Sequence, residues 1–206
     1  MRRQRAWSPA LRTIAAVLLL LHMGGVSAAA PLTDQERQRL VAHLEATASW
    51  LIDEVSGLSP AQLSFRRAPG TWTILEVLDH LVVTEDIYWR DLQAALKAPT
   101  GRKTMMTDID VLWYGIDRTN REQAIPSEIP KGLQDVQAGL DTYRKLHGRL
   151  LQYVKTTEDD LRGHYVERQR CDAYQWALLI STHEQRHILQ IREIKADSRF
   201  PATGSK

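Results

Sequence analysis

Near its C-terminus the chain runs Asp172-Ala-Tyr-Gln-Trp-Ala-Leu-Leu-Ile-Ser-Thr-His-Glu-Gln-Arg-His-Ile-Leu-Gln-Ile-Arg-Glu-Ile-Lys195. This segment predicts one uninterrupted amphipathic helix, because its apolar residues recur at three- and four-residue steps. The positions that share this face are Trp176, Leu179, Ile180, His183, His187, Ile191 and Ile194. Two histidines thus lie on the face that should contact the core. Since they are four residues apart, both imidazoles can reach a single metal ion. We expect the rest of the chain to build a helical cage around this pair.

Composition limits the classes of protein to be considered. The 206 residues are 43% apolar, which is enough to bury one sizeable core and favours a single domain. The formal net charge is only +2, and the basic residues are spread along the chain, which argues against a nucleic-acid partner. The single cysteine, Cys171, excludes an intramolecular disulfide framework and a cysteine-rich zinc site. We interpret Cys171 as a semi-buried residue without a chemical role.

Residues 1–29 have the order of features found in a secretory signal peptide. A basic start, Met1-Arg-Arg-Gln-Arg5, precedes an apolar segment, Leu11 to Met23, and small residues follow from Gly24 to Ala30. The apolar run is too short to span a bilayer comfortably, so a membrane anchor in the mature protein is not expected. We therefore predict that residues 1–29 are removed, that residues 30–206 form the mature domain, and that this domain is secreted or periplasmic.

Three further segments have helical periodicity. The first is capped at Thr33 and ends near Gly57, the second opens at Thr73 and continues to about Lys97, and the third covers Leu133 to Val154. Residues 99–130 are irregular apart from a short apolar segment, and a connection of this length is typical of a crossover or lid. The link from Thr156 to Gln169 is polar and carries no hairpin signal. Together with Cys171 to Lys195, these segments predict an all-α four-helix bundle with a long crossover between helices two and three.

A third histidine, His80, lies on the apolar face of the second predicted helix. With His183 and His187, three imidazoles then point into the core from two helices, and an unpartnered imidazole there is expensive to bury. Three imidazoles suit zinc, nickel, copper or ferrous iron and leave at least one position open. The alternative is that they are hydrogen-bonded core histidines. His147 also falls on the apolar face of its helix, where it is either a packing residue, a further ligand or a group that supports the ligands.

The segment His183-Glu184-Gln-Arg-His187 has the letters of the HExxH motif of zinc proteases, in which the glutamate is the general base. Glu184 is displaced by about 100° from His183 around the helix. No histidine follows His187 to act as the third ligand of such a protease. A protease is therefore the less favoured interpretation.

Two segments of the chain resemble the DinB-like, or damage-inducible, superfamily of bacterial four-helix-bundle proteins. They are Ala68-Pro-Gly-Thr-Trp-Thr-Ile-Leu-Glu-Val-Leu-Asp-His80-Leu and Asp172-Ala-Tyr-Gln-Trp with His183-Glu-Gln-Arg-His187-Ile-Leu-Gln190-Ile. The resemblance extends over roughly residues 34–196. It implies that His80, His183 and His187 bind a divalent metal such as zinc or nickel, and that a crossover joins helices two and three. Known relatives include thiol-dependent transferases, but the predicted export signal departs from their cytoplasmic location, so their substrates are not carried over.

Two functional hypotheses follow. In the first, the chain is a metalloenzyme, a transferase or hydrolase acting on an unidentified small molecule, with Tyr88, Trp113 and Tyr114 as candidates for lining its pocket. In the second, it binds a metal ion or small ligand without catalysis. In both, Glu76 is expected to cap its helix, and a homodimer is left open.

Overall fold

The computed structural model describes residues 30–202, so the predicted signal peptide of residues 1–29 lies outside the described residues. Within 30–202 there are six helices and one two-stranded ribbon. Their bounds are α1 Asp34–Val55, α2 Pro60–Leu63, α3 Ile74–Lys97, α4 Asp108–Ile116, α5 Val136–Thr156, β1 Tyr165–Val166, β2 Cys171–Asp172 and α6 Ala173–Lys195. The four long helices are the four that the periodicity predicts.

Side-chain caps determine where the long helices begin. Thr33 and Thr73 each accept a hydrogen bond from the backbone N–H three residues ahead, and Glu36 and Glu76 bond back to the caps, which confirms both predicted capping boxes. Asp172 does the same for α6 with Gln175, so that helix begins at Ala173 rather than at Cys171. The third helix begins at Val136 under Asp135, after Leu133.

The polar link before α6 contains a small antiparallel ribbon, so the prediction of a link without a hairpin is wrong. Tyr165 pairs with Asp172 and Val166 with Cys171. Arg170, in the turn between them, has a positive φ of 57°. Each strand has only two residues, and over so short a length no alternation of apolar and polar residues can appear in the sequence.

The four long helices form a bundle in which neighbours along the chain are not always neighbours in space. Helix α1 packs against α5 and α6, and α3 packs against the same two helices. Helices α1 and α3 therefore occupy opposite corners, as do α5 and α6. The predicted all-α four-helix bundle is confirmed, and the long crossover connects α3 with α5.

Helix α6 has the least contact with solvent of the four long helices. All its residues from Ala173 to Glu184 are buried, since α1, α3 and the crossover helix α4 all pack on it. The Trp176 side chain is fully buried, and its indole N–H donates to the Tyr88 carbonyl of α3 at 2.9 Å. The amphipathic pattern correctly predicts one buried face, but the first half of this helix is buried on every side.

The crossover between α3 and α5 is fixed to the bundle at two places. Helix α4 lies directly on α6 at Gly115, where an added Cβ would stand 2.9 Å from the Thr182 Cβ and 3.0 Å from the Thr182 carbonyl oxygen. Farther along, one carboxylate oxygen of Asp79 accepts the backbone N–H groups of Lys131, Gly132 and Leu133 at 2.6, 2.6 and 2.9 Å. The crossover is therefore a positioned wall of the molecule.

None of the helices between residues 30 and 202 combines the length and the apolar character needed to cross a lipid bilayer.

Replacing Gly115 by alanine should push α4 away from α6. We expect the free energy of unfolding to fall by about 1–3 kcal/mol, because the new methyl group meets backbone as well as side-chain atoms. Chemical denaturation monitored by circular dichroism measures this change. Gly148→Ala is the matched control, since a Cβ at Gly148 on α5 meets nothing within 4 Å. That control should raise stability by about 0.5–1 kcal/mol. Equal effects of the two substitutions would contradict the close contact at Gly115.

Candidate metal centre

The three predicted histidines lie together at one end of a pocket. His80 comes from the middle of α3, and His183 and His187 come from successive turns of α6. The Nε2 atom of His183 is 3.1 Å from Nε2 of His80 and 3.1 Å from Nε2 of His187. His80 and His183 are buried and His187 is partly exposed. The fold thus brings three imidazole nitrogens to one point.

The other ring nitrogens of two of these histidines have hydrogen-bond acceptors. Nδ1 of His80 lies 2.6 Å from the backbone carbonyl of Glu128, and Nδ1 of His187 lies 2.8 Å from Oε1 of Gln190. Because a carbonyl oxygen only accepts, Nδ1 of His80 must carry the hydrogen. The same assignment for His187 follows if the Gln190 oxygen is oriented towards the ring. In these neutral tautomers both Nε2 atoms present lone pairs towards His183.

This arrangement fits a divalent cation better than it fits hydrogen bonds alone. A hydrogen on Nε2 of His183 can serve only one of its two 3.1 Å contacts at full strength, and the other would then join two lone pairs. Nitrogens around tetrahedral zinc, with bonds of about 2.0–2.1 Å, stand about 3.3 Å apart. The observed separations are close to that value, so the donor set is suited to a metal ion.

The electrostatic surroundings keep these imidazoles uncharged, as metal ligation requires. Burial lowers the pKa of His80. Burial, assisted by the nearby His80, lowers the pKa of His183 to about 3. Burial and the two neighbouring imidazoles also lower the pKa of His187 well below its usual value. All three rings are therefore neutral at physiological pH.

A pocket of about 980 Å³ opens on one side of the three histidines. Trp72 lies against the ligand rings, with its ring centroid 4.8 Å from that of His80 and 6.2 Å from that of His187. Tyr88 and Tyr114 contribute to the wall, and burial raises the pKa of Tyr114 to about 12. Burial also raises the pKa of Tyr88, so both phenols keep their hydrogens and can donate.

The rest of the pocket wall is rich in ion pairs. Arg118 contacts both carboxylate oxygens of Glu193, at 2.7 and 3.3 Å, and Arg168 reaches Glu128 at 2.6 Å. Arg186 donates to the backbone carbonyls of Tyr114, Asp117 and Asn120 at the end of α4. These contacts tie α6, the ribbon and the crossover into one polar rim.

Comparison with known proteins assigns the family. A family model described as the DinB superfamily matches residues 32–191. The chain belongs to the DinB superfamily. YuaE, an uncharacterised protein of Bacillus subtilis strain 168, is 26% identical over 148 residues, which are 69% of this chain and 89% of YuaE.

Among solved structures, YfiT from Bacillus subtilis aligns with a TM-score of 0.55 at 18% identity, over 80% of this chain and 88% of YfiT. YfiT is described as a probable metal-dependent hydrolase with an unusual four-helix-bundle topology. At this level of identity the likeness shows the fold of this DinB superfamily chain.

Glu184 of the HExxH segment faces away from the pocket of this DinB superfamily chain. It is fully buried on the core side of α6, where it accepts hydrogen bonds from the Tyr143 hydroxyl at 2.9 Å and the Thr47 hydroxyl at 2.8 Å. A general base for the metal site must lie within hydrogen-bond reach of the reacting proton. Glu184 does not line the pocket, so it does not hold the position of the general base of the HExxH motif.

His147 belongs to the same buried cluster and is not a fourth member of the histidine site. Its Nδ1 lies 2.9 Å from Oε1 of Glu184 and 3.0 Å from Oε1 of Glu85, and its Nε2 donates to the Leu44 carbonyl at 3.1 Å. With acceptors at both nitrogens, the ring is doubly protonated. The three titratable groups of this cluster also lie close enough to hold a cation, but hydrogen bonds already account for its contacts.

The pKa values of the cluster follow from this arrangement. Burial alone would lower the pKa of His147, but the Glu184 and Glu85 carboxyl groups raise it well above its usual value. Burial would raise the pKa of Glu184, but His147 and further hydrogen bonds hold it at about 2. Burial, reinforced by the charge of Glu184, raises the pKa of Glu85 to about 8 despite its contact with His147. One imidazolium, one carboxylate and one protonated carboxyl therefore share the core.

Of the other residues singled out in the sequence, some lie where they were expected and some do not. Tyr88 and Tyr114 line the pocket, but Trp113 is 60% exposed and does not. Glu76 caps α3 and bonds to Arg66 at 2.8 Å, as its capping role predicts. Cys171 is fully buried rather than semi-buried, and burial raises its thiol pKa to about 12, so the thiol keeps its hydrogen.

Sequence reasoning missed the groups that orient the ligands. Glu128 supplies a backbone carbonyl from the crossover, and Asp79 holds the segment that carries it. Neither contact has a sequence signature. Gln190 could have been found, because it stands three residues after His187 on the same helix and such pairs are neighbours.

Replacing Glu85 by glutamine tests the buried cluster. The native state keeps the Glu85 proton up to about pH 8, whereas an unfolded glutamate loses it near its ordinary pKa of 4.5. Native chains then bind more protons between these values, so stability falls as pH rises across this window, by at most about 1.4 kcal/mol per pH unit from this group. We expect E85Q to show a shallower fall between pH 5 and 8 in chemical denaturation.

The matched control is Glu45→Gln, which removes an exposed carboxylate that pairs with Lys155 at 2.7 Å. This control should leave the pH slope of the wild type unchanged. Identical slopes for E85Q and the wild type would show that Glu85 is ionised in the native protein.

Proposed function

We propose that this chain is an exported metal-dependent enzyme, a hydrolase or group transferase acting on small molecules, with one divalent ion held by His80, His183 and His187. The observation that carries the proposal is the convergence of three Nε2 atoms at 3.1 Å contacts, with acceptors at Nδ1 of His80 and His187. Export rests on the predicted signal peptide in residues 1–29. Zinc and nickel are the ions we expect first, since imidazole nitrogens suit both.

The pocket beyond the three histidines favours catalysis over a purely structural or storage role for the site. Structural zinc sites are closed by four protein ligands, whereas catalytic sites keep a position for water or substrate. Within residues 30–202, three imidazoles and no fourth ligand group converge here, and beyond them lies a pocket of about 980 Å³. That volume lies in the range of small-molecule sites. These features support an enzyme over non-catalytic metal binding.

The pocket residues are suited to binding a substrate with oxygen acceptors or negative charge. Tyr88 and Tyr114 offer phenolic hydrogens, and Arg186, which bonds to backbone carbonyls, places positive charge along the wall. A divalent ion at the histidines would act as a Lewis acid on a substrate oxygen. Trp72 packs over the ligand rings and limits their movement. The description of YfiT as a probable metal-dependent hydrolase supports the hydrolase class.

Elemental analysis tests the metal proposal. Protein purified without a histidine tag should contain about one equivalent of zinc, nickel or a similar ion, because three imidazoles can hold a single ion. His183→Ala removes the central nitrogen of the set, so we expect metal content to fall to background and the metal-induced rise in melting temperature to disappear. Inductively coupled plasma mass spectrometry and thermal melts with and without chelator measure both quantities.

His164→Ala is the matched control, because His164 is partly buried and its imidazole bonds to the Ala95 carbonyl, away from the site. It should retain the metal. Wild-type protein that takes up no divalent ion even after incubation with zinc, nickel or cobalt would refute the proposal.

Cobalt substitution distinguishes an open site from a closed one. If the ion has a free position facing the pocket, adding azide or a small thiolate should change the visible spectrum of the cobalt protein, because a new ligand alters its coordination. We expect a saturable spectral change. A cobalt spectrum that no added ligand alters would favour the non-catalytic hypothesis while leaving metal binding intact.

A further inference from the structure

Helix α4 carries an apolar face that nothing in residues 30–202 covers. Its outer stripe consists of Ile109, Leu112, Trp113 and Ile116, at the i, i+3, i+4 and i+7 positions of one helix face. These side chains are 64%, 40%, 60% and 45% exposed, and neighbouring Met105 is 74% exposed. A soluble domain usually turns such a stripe towards its core.

The stripe cannot turn inward, because the opposite face of α4 is already fixed. Val111 and Gly115 are buried against the bundle, and Gly115 leaves no room for even a methyl group at α6. The end of the helix is held by Arg186, which donates to three backbone carbonyls there. The outer stripe is therefore a constant feature of the surface.

The apolar area exposed by the outer stripe and Met105 is large for a surface without a partner. With about 200 Å² for a fully exposed large side chain, the stripe and Met105 expose roughly 500–600 Å². The largest apolar patch on an ordinary monomer is about 300–600 Å², and patches at that limit often mark interaction sites. Two copies facing each other would bury roughly 1,000–1,200 Å² in all, at the lower end of specific interfaces.

We propose that the outer stripe of α4 is the interface of a homodimer, in which it packs against the same stripe of a second copy. A two-fold axis near Leu112 and Trp113 would bury the whole stripe on both copies at once, as an isologous interface requires. The pattern suits this, since an isoleucine stands at each end and Trp113, the largest side chain of the stripe, lies near the middle.

Charge argues against a membrane as the alternative occupant. The helix and its C-cap carry Asp108, Asp110 and Asp117 and no lysine or arginine. Helices that lie on anionic lipid surfaces carry lysine and arginine on their polar face. Carboxylates beside the stripe would instead be repelled by such lipids.

Sedimentation equilibrium of the purified protein tests the interface. We expect a dimer with a dissociation constant on the order of 1 µM, as suits an interface of this modest size. Trp113→Glu should weaken it by at least about 30-fold, because a central tryptophan is a typical hot spot. Trp50→Glu is the matched control, since Trp50 is 41% exposed on α1 and lies outside the stripe. The control should leave the dimer intact.

Cysteine trapping provides a second measurement. Leu112→Cys lies next to the proposed axis, so mild oxidation should link two copies through it, and Trp50→Cys should not cross-link. The background is low because the chain's single natural cysteine, Cys171, is buried.

A wild type that stays monomeric well above 1 µM, or a dimer that Trp113→Glu leaves unchanged, would overturn the proposal. So would a monomer that binds anionic phospholipid vesicles through α4. Unchanged far-UV circular dichroism and metal content in Trp113→Glu should show that this exposed substitution affects association and not folding.

Discussion

Helix α6 is buried on nearly every side, and this burial forces each polar side chain it carries to find a partner inside the protein. A buried amide or charge without a partner costs several kcal/mol. Along α6 the ionisable residues for which this matters most are His183, Glu184, Arg186 and His187, all within two turns. The surrounding elements can be understood through the partners they supply to these four groups.

Adjacent residues of α6 meet this requirement in two different ways. His183 points to the pocket side, where the imidazoles of His80 and His187 converge on it. The lone pairs of these rings are suited to binding a cation. Glu184 points to the core side, where Tyr143, Thr47 and His147 satisfy its carboxylate with hydrogen bonds and charge. The segment has the letters of the HExxH protease motif, but its glutamate does not face the histidine site as the motif requires. Glu184, which would be the general base in a protease, instead bonds to groups in the bundle interior, although it directly follows the proposed ligand His183.

Much of this plan could be predicted from the sequence, because helical periodicity reports which face is buried. It correctly predicts the four long helices and two of their caps, and it places His80, His183 and His187 on inward faces of their helices, although these faces line a pocket and leave His187 partly exposed. It could not identify Glu128 as the partner of His80, since the contact uses a backbone carbonyl 48 residues away and any side chain is compatible with it. The ribbon from Tyr165 to Asp172 could not be predicted, because strands of two residues are too short to show alternating apolar and polar residues. The outward orientation of the apolar face of α4 could not be predicted for another reason. A period of 3.6 residues shows that a helix has an apolar face but not whether that face meets the core.

The crossover connects these features. It supplies the carbonyl that orients His80, it contributes Tyr114 to the pocket, and its helix α4 is held by Arg186, which itself lines the pocket. One guanidinium thus contacts both the wall of the site and the helix whose far side is apolar. Any surface that covers the outer stripe would restrain α4, and through the three carbonyls bound by Arg186 it would restrain the pocket wall as well. The candidate metal site and the outer stripe therefore lie on opposite sides of one fixed segment.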